Sequence, residues 1–140
     1  MACGLVTLKS IKRCRGCMSG SARGGHILLD YTGYASPADN DGEWMLQLLR
    51  DGVRRAGIKE VHSHVAQFNG ADSPPGFAAV VLIDESHVSA HCYSDRGLLA
   101  IDIFTCGVND PGPLADDIHR VLQSTVPELV LSGRKHVDRF

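Results

Sequence analysis

Apolar positions along the chain fall into short runs of two kinds. Most are strand-length, whereas residues 43–56 set Trp44, Leu48, Leu49, Val53 and Ala56 along one stripe at helical spacing. Polar positions follow in Arg50, Asp51, Arg54 and Arg55, and Gly57 is a natural residue to end that helix. Strands are predicted over 26–31, 59–68, 77–84, 87–93 and 98–106, a second helix over 113–124 and a last strand over 128–131. In 59–68 the side chains alternate, Val61, Ser63, Val65 and Gln67 one way and His62, His64, Ala66 and Phe68 the other. The run FAAVVLI does not alternate, which predicts a strand buried on both faces. NGADSPPG reads as a loop, SDRG as a hairpin-like connection, and Ser36, Asp39 and Asp41 as candidate helix caps.

This order predicts an α+β fold, a two-layer sandwich with helices on one face of an antiparallel sheet. Such a layer leaves a sheet face or edge open, and pairing with a second copy is the expected remedy. Residues 1–24 are rich in Gly and Ser and weakly patterned, with at most a short strand over 5–11. They read as a leader to a single domain over 25–140.

Composition narrows the class. In 140 residues, 44% hydrophobic and 21% charged, there is material for one domain with a real core. A net charge of −2 leaves no nucleic-acid footprint, and Lys9, Lys12, Arg13, Arg15 and Arg23 are diluted into a solvated flank. No apolar run is long enough to cross a bilayer. Cys3, Cys14, Cys17, Cys92 and Cys106 make an odd count without a secretory apolar segment ahead of them, so reduced thiols in a cytoplasmic protein are expected.

Three groups of residues carry candidate chemistry. Cys14 and Cys17 form a C-x-x-C pair that, with Cys3 and His26, offers zinc-ligand types. A lone pair is a weak signal, so incidental thiols are the preferred reading and a zinc-stabilised, non-catalytic binding module the alternative. His62 and His64 share a strand face and read as polar residues on a wet surface. The third group lies in DESHVSAH, where Glu85, Ser86, His87, Ser89 and His91 interrupt two apolar strands without a Gly, Pro or Asn to mark a turn. Cys92 and Cys106 follow. The segment lacks the G-x-S-x-G elbow of a triad hydrolase, and a regular strand puts Ser86 and His91 on opposite faces. By residues alone this is a reactive cluster of open type.

ESHVSAH followed by AIDIFTCG resembles the self-processing core of the prokaryotic S-adenosylmethionine decarboxylase proenzymes, whose pattern is E-S-H-x-x-x-H-T-W/Y-P-E and then D-V-F-T-C-G. GGHILLDYTGY is similar to the first strand of that family, so the likeness runs from about Gly25 to Gly107. The resemblance implies that the Ser86 hydroxyl attacks the Glu85 carbonyl and that the ester formed eliminates. The chain would then be cut into 1–85 and 86–140, with a pyruvoyl cofactor derived from Ser86. It further implies that His91 assists processing by proton transfer, that Cys106 supplies the proton replacing CO₂, and that Phe68, Tyr93 and Asp95 bind the adenosine. No metal is implied. The partners implied are a small-molecule substrate and a second protomer, in a larger α/β/β/α dimer. A bond that breaks itself also predicts a strained or specially hydrogen-bonded backbone at Glu85–Ser86.

The chain departs from the pattern just downstream. The family's H-T-W/Y-P-E is His91-Cys92-Tyr93-Ser94-Asp95 here, Asp95 being one methylene shorter than Glu. The loop after Phe68 is longer, and Ala78 stands where a small hydroxyl residue is common. These changes leave arginine or ornithine as alternative substrates. S-adenosylmethionine is preferred because Phe68, Tyr93 and Asp95 keep the required chemical types.

Overall fold

The protein is described by a computed structural model covering residues 23–107 and 109–140. Strand β1 (Gly24–Thr32) is followed by helix α1 (Asp41–Arg55), strands β2 (Glu60–Phe68), β3 (Gly76–Ile83) and β4 (Ser86–Tyr93), and a 3₁₀ turn (Ser94–Arg96). Strand β5 (Leu98–Cys106), helix α2 (Gly112–Thr125) and strand β6 (Val130–Arg139) complete it. The six strands form one antiparallel sheet in the order β2-β3-β4-β5-β1-β6.

Both helices lie on one face. There Ile27, Leu29 and Tyr31 of β1, Val81 and Ile83 of β3 and Ile101 and Ile103 of β5 are buried. They share one core with Leu49 and Val53 of α1 and Ile118 and Leu122 of α2. The α+β sandwich is thus as the pattern predicts. Among the described residues no helix is long and apolar enough to cross a membrane.

Four details differ. Helix α1 begins earlier than expected and is capped by Asn40, whose side chain accepts from the Glu43 N–H. Its buried stripe runs through Met45, Leu48, Leu49, Gly52 and Val53; Ala56 lies beyond the helix and is exposed. A Cβ at Gly52 would stand 3.2 Å from Ile118, so this glycine permits the close approach of the two helices. Strand β3 is not buried on both faces: Leu82 is 41% exposed, because the second face of the sheet carries no helix. Its apolar side chains at Ala78, Val80 and Leu82 therefore conceal the alternation. Strand β6 runs eight residues past its expected end, paired along β1 with a register shift at Asp30/Tyr31. Its polar sequence, LSGRKHVDR, hides an edge strand held by its backbone ladder to β1 and by side-chain bonds such as Ser132 Oγ to the Asp30 carbonyl and Arg134 to Asp116.

Of the expected leader, 1–22 lies outside the described residues, including Cys3, Cys14, Cys17 and the candidate strand at 5–11.

Candidate active site

One end of the sheet is built by the β3–β4 hairpin. Ile83 pairs with Ser86, so Asp84 and Glu85 alone make the connection. Two-residue hairpins of this kind call for positive φ at the first loop position, usually supplied by glycine. Here Asp84 adopts φ 48°, at a cost of roughly 1–2 kcal/mol that Asp bears better than most residues because its short side chain can bond locally. The missing Gly, Pro or Asn is thus explained: an aspartate takes the left-handed position, one residue ahead of Glu85–Ser86.

The β4–β5 ladder ends at the pair His87–Phe104. Beyond it, the Cys106 N–H donates to Ser86 Oγ at 2.9 Å in place of a backbone partner. The Cys106 thiol lies 3.6 Å from the Glu85 carbonyl oxygen and donates to it. Ser86, Glu85 and Cys106, twenty residues apart in sequence, therefore meet at one sheet end, with the thiol half-buried.

Next to them, on the open face, lies a polar group that sequence reasoning missed. Arg139 of β6 donates to His26 Nδ1 at 3.1 Å, and His26 Nε2 lies 3.1 Å from the Asp102 carboxylate. This pattern fits the tautomer with its proton on Nε2. His87 packs against Phe104, with ring centroids 5.5 Å apart, and stands 6.3 Å from the His26 ring. Burial and then the neighbouring His26 hold the His87 pKa below the ordinary imidazole value. Asp102 inside LLAIDIF was the visible clue, a charged residue in an otherwise apolar strand. His26, engaged with Asp102 and Arg139, already has partners other than the zinc expected in the alternative reading.

The opposite end of the sheet is aromatic. Phe68 pairs with Gly76, and Gly76 with Tyr93, so the two rings rise from the same face with a side-chain-free residue between them. Two strand spacings separate their backbones by about 10 Å, room for a flat ring between two others. Nothing larger than glycine fits at position 76, where a Cβ would lie 1.9 Å from the Cys92 carbonyl oxygen. Phe77 and Pro74 help close a cavity of about 220 Å³ beside the rings. Asp95 is exposed in the 3₁₀ turn after Tyr93, and Arg96 lies 5.8 Å from the Tyr93 ring centroid.

His91 stands between the two ends, opposite Ala78 and Ala100 on the open face, along a groove of about 410 Å³ that His64 and His87 also line. Five strand residues put it about 17 Å from Ser86, and the two side chains point to opposite faces. One protomer therefore does not bring His91 to Ser86. Tyr93, seven residues along, is about 23 Å away. His62 and His64 sit exposed on the open face, as expected of a wet strand. Cys92 is buried under the aromatic end, and burial pushes its pKa up to about 11.

Known proteins resemble this chain over most of the domain. A family model described as S-adenosylmethionine decarboxylase matches residues 25–134. The S-adenosylmethionine decarboxylase proenzyme of Persephonella marina is 38% identical over 82 residues, which is 59% of this chain and 59% of that protein. The proenzyme of Shouchella clausii is 34% identical over 110 residues, covering 76% of this chain and 81% of its own. The crystal structure of the adenosylmethionine decarboxylase from Aquifex aeolicus superposes with a TM-score of 0.65 at 27% identity, over 85% of this chain and 92% of that one. All three carry the sulfonium substrate in their names, and none a basic amino acid.

Proposed function

The chain belongs to the S-adenosylmethionine decarboxylase family, and from that premise we propose that it is a self-processing, pyruvoyl-dependent carboxy-lyase acting on S-adenosylmethionine in the cytoplasm. Its product is the aminopropyl donor for spermidine synthesis. The observation that carries the reading is the meeting of Ser86 Oγ, the Glu85 carbonyl and the Cys106 thiol at the hairpin end.

Processing follows from that geometry. Ser86 Oγ attacks the Glu85 carbonyl carbon, the C–N bond breaks, and the Ser86 nitrogen leaves as a free amine while the acyl group stays on oxygen. The Cys106 thiol, already bonded to the Glu85 oxygen, stabilises the negative charge that oxygen gains on the way. The Cys106 N–H holds Oγ in position for attack. Loss of the Ser86 Cα proton then breaks the Cβ–Oγ bond and frees Glu85 as a carboxylate terminus. Water displaces the nitrogen as ammonia, leaving a pyruvoyl at position 86.

The site fits such a group, since the Cys106 N–H already meets Ser86 Oγ and the half-buried Cys106 thiol meets the adjoining Glu85 carbonyl. A pyruvoyl supplies a ketone that condenses with the substrate amine and takes up the electron pair released with CO₂. Cys106 then returns a proton to the substrate carbon. Phe68 and Tyr93 stack on the adenine and Asp95 accepts from the ribose hydroxyls.

Because the aromatic slot and Ser86 lie about 23 Å apart in one protomer, the complete site belongs to a homodimer. A two-fold axis between facing open sheets sets the Ser86 end of one protomer on the aromatic end of the other, and His91 of the partner subunit near the bond to be cut. Phe68, Leu82, Tyr93, Leu98 and Val137, all exposed on that face, are the apolar surface such an α/β/β/α sandwich would cover.

Mass decides the central claim. The purified protein is expected as chains 1–85 and 86–140, the second with a blocked terminus, and Ser86→Ala as one 15.1 kDa chain. A wild type that stays whole on prolonged incubation overturns the reading. Release of CO₂ from arginine or ornithine, and not from S-adenosylmethionine, overturns the substrate.

A further inference from the structure

One hydrogen-bonded junction binds together every element that carries a wall of the aromatic slot. Asp41, in the first turn of α1, accepts from Gln67 Nε2 at 2.7 Å, from Ser94 Oγ at 3.0 Å and from the Gly42 N–H at 2.8 Å. Gln67 immediately precedes Phe68 and also donates to the Gly76 carbonyl between the two rings. Ser94 stands between Tyr93 and Asp95, and its own N–H donates to the carbonyl of Pro75, at the end of the loop that includes Pro74. Helix α1, the end of β2, the loop over 69–75 and the 3₁₀ turn thus share one carboxylate and one serine. Bonds to a carboxylate are the stronger kind, and a helix N-terminus favours its charge.

Ser94 occupies the place of the proline in the family pattern. Proline stiffens a turn through its ring but has neither an N–H nor a hydroxyl. Here the turn is held instead by two bonds, one to Asp41 and one to the longer loop. From this we infer that Asp41 and Ser94 are a positioning pair that sets the separation of Phe68 and Tyr93, and so the affinity for the adenosine part of the substrate. Neither residue touches the reacting atoms. The inference rests on the function proposed above, in which those two rings hold the adenine.

The test compares wild type with Ser94→Ala, Asp41→Ala, the double variant and Ser94→Thr. Four quantities are read: extent of self-cleavage, kcat and KM for S-adenosylmethionine, and binding of methylthioadenosine to the same set in a Ser86→Ala background. Loss of a bond to a carboxylate predicts that each alanine variant raises KM and the nucleoside Kd about tenfold. Cleavage stays complete and kcat stays close to wild type. The double variant is no worse than Asp41→Ala alone, since both remove one shared bond. Ser94→Thr, which keeps the hydroxyl and the N–H, stays near wild type. A processed, active wild type whose KM and Kd ignore both alanine substitutions overturns this inference alone, as does a double variant whose losses multiply. An uncleaved or inactive wild type overturns the functional reading, and this inference with it.

Discussion

The two ends of the sheet are built on different principles. At the Ser86 end the chain makes a two-residue turn with an aspartate at φ 48°, and the contacts to the reactive groups come from one backbone N–H and one thiol. At the Phe68–Tyr93 end, a glycine leaves a slot between aromatic rings, and a carboxylate ties the surrounding elements together. The first arrangement suits a bond that must break, because few contacts resist a change in the backbone. The second suits a site that must hold a fixed width through repeated binding. This separation along one strand, β4, is what the proposed two-protomer site rests on.

The sharpest way to break this comparison is at Cys106, where both proposed chemistries meet. Cys106→Ala is expected to lower kcat by about a hundredfold or more, the usual loss for a positioned proton donor. It should also slow self-cleavage, because the Glu85 oxygen loses its thiol donor; a gel time course and CO₂ release separate the two effects. The next largest effect tests the division between protomers. Ser86→Ala is expected to be inactive and Tyr93→Ala to raise KM about tenfold, yet co-expression should restore wild-type KM to about a quarter of the sites, since mixed dimers carry one intact site in two. Failure to recover wild-type KM in verified mixed dimers would return both ends to one protomer.

Phe68→Ala should spare the Ser86 end. Its expected result is complete cleavage with KM raised about tenfold, the scale of losing one stacked ring. Slower cleavage in that variant would show that the ends are coupled. The smallest effect concerns pH. Burial and His26 lower the His87 pKa in the folded chain, so the unfolded chain binds the proton more readily. The contribution of His87 to stability is full above its ordinary value of 6.5 and is lost as pH falls through the lower folded value. Denaturant midpoints of His87→Phe should therefore fall less on acidification from neutral pH than those of wild type, while an equal fall would remove His87 from the account.

Much of the Ser86 end was legible in the chain because its residues fall in two short segments. DESHVSAH and the TCG of β5 stand out as polar or sulfur-bearing groups beside apolar strands. What concealed the other end was distance in sequence. Asp41, Gln67, Gly76 and Ser94 lie on four separate elements, and none is unusual where it stands. Asp41 looked like a helix cap, and that role belongs to Asn40. His26, Asp102 and Arg139 were hidden in the same way, since only strand order brings β5, β1 and β6 side by side.

By itself, the sequence determined the layer architecture and singled out Glu85–Ser86, Phe68 and Tyr93 as candidates, because periodicity and local composition act over a few neighbouring residues. Register and strand order belonged to the tertiary structure. They set Cys106 against Ser86 and Gly76 between Phe68 and Tyr93, and they put His91 about 17 Å from the serine it resembles a partner for. The physical reason is that a strand advances about 3.3 Å per residue and alternates its faces. Residues a few positions apart in one strand are therefore held apart, while residues on different strands are brought together by the ladder.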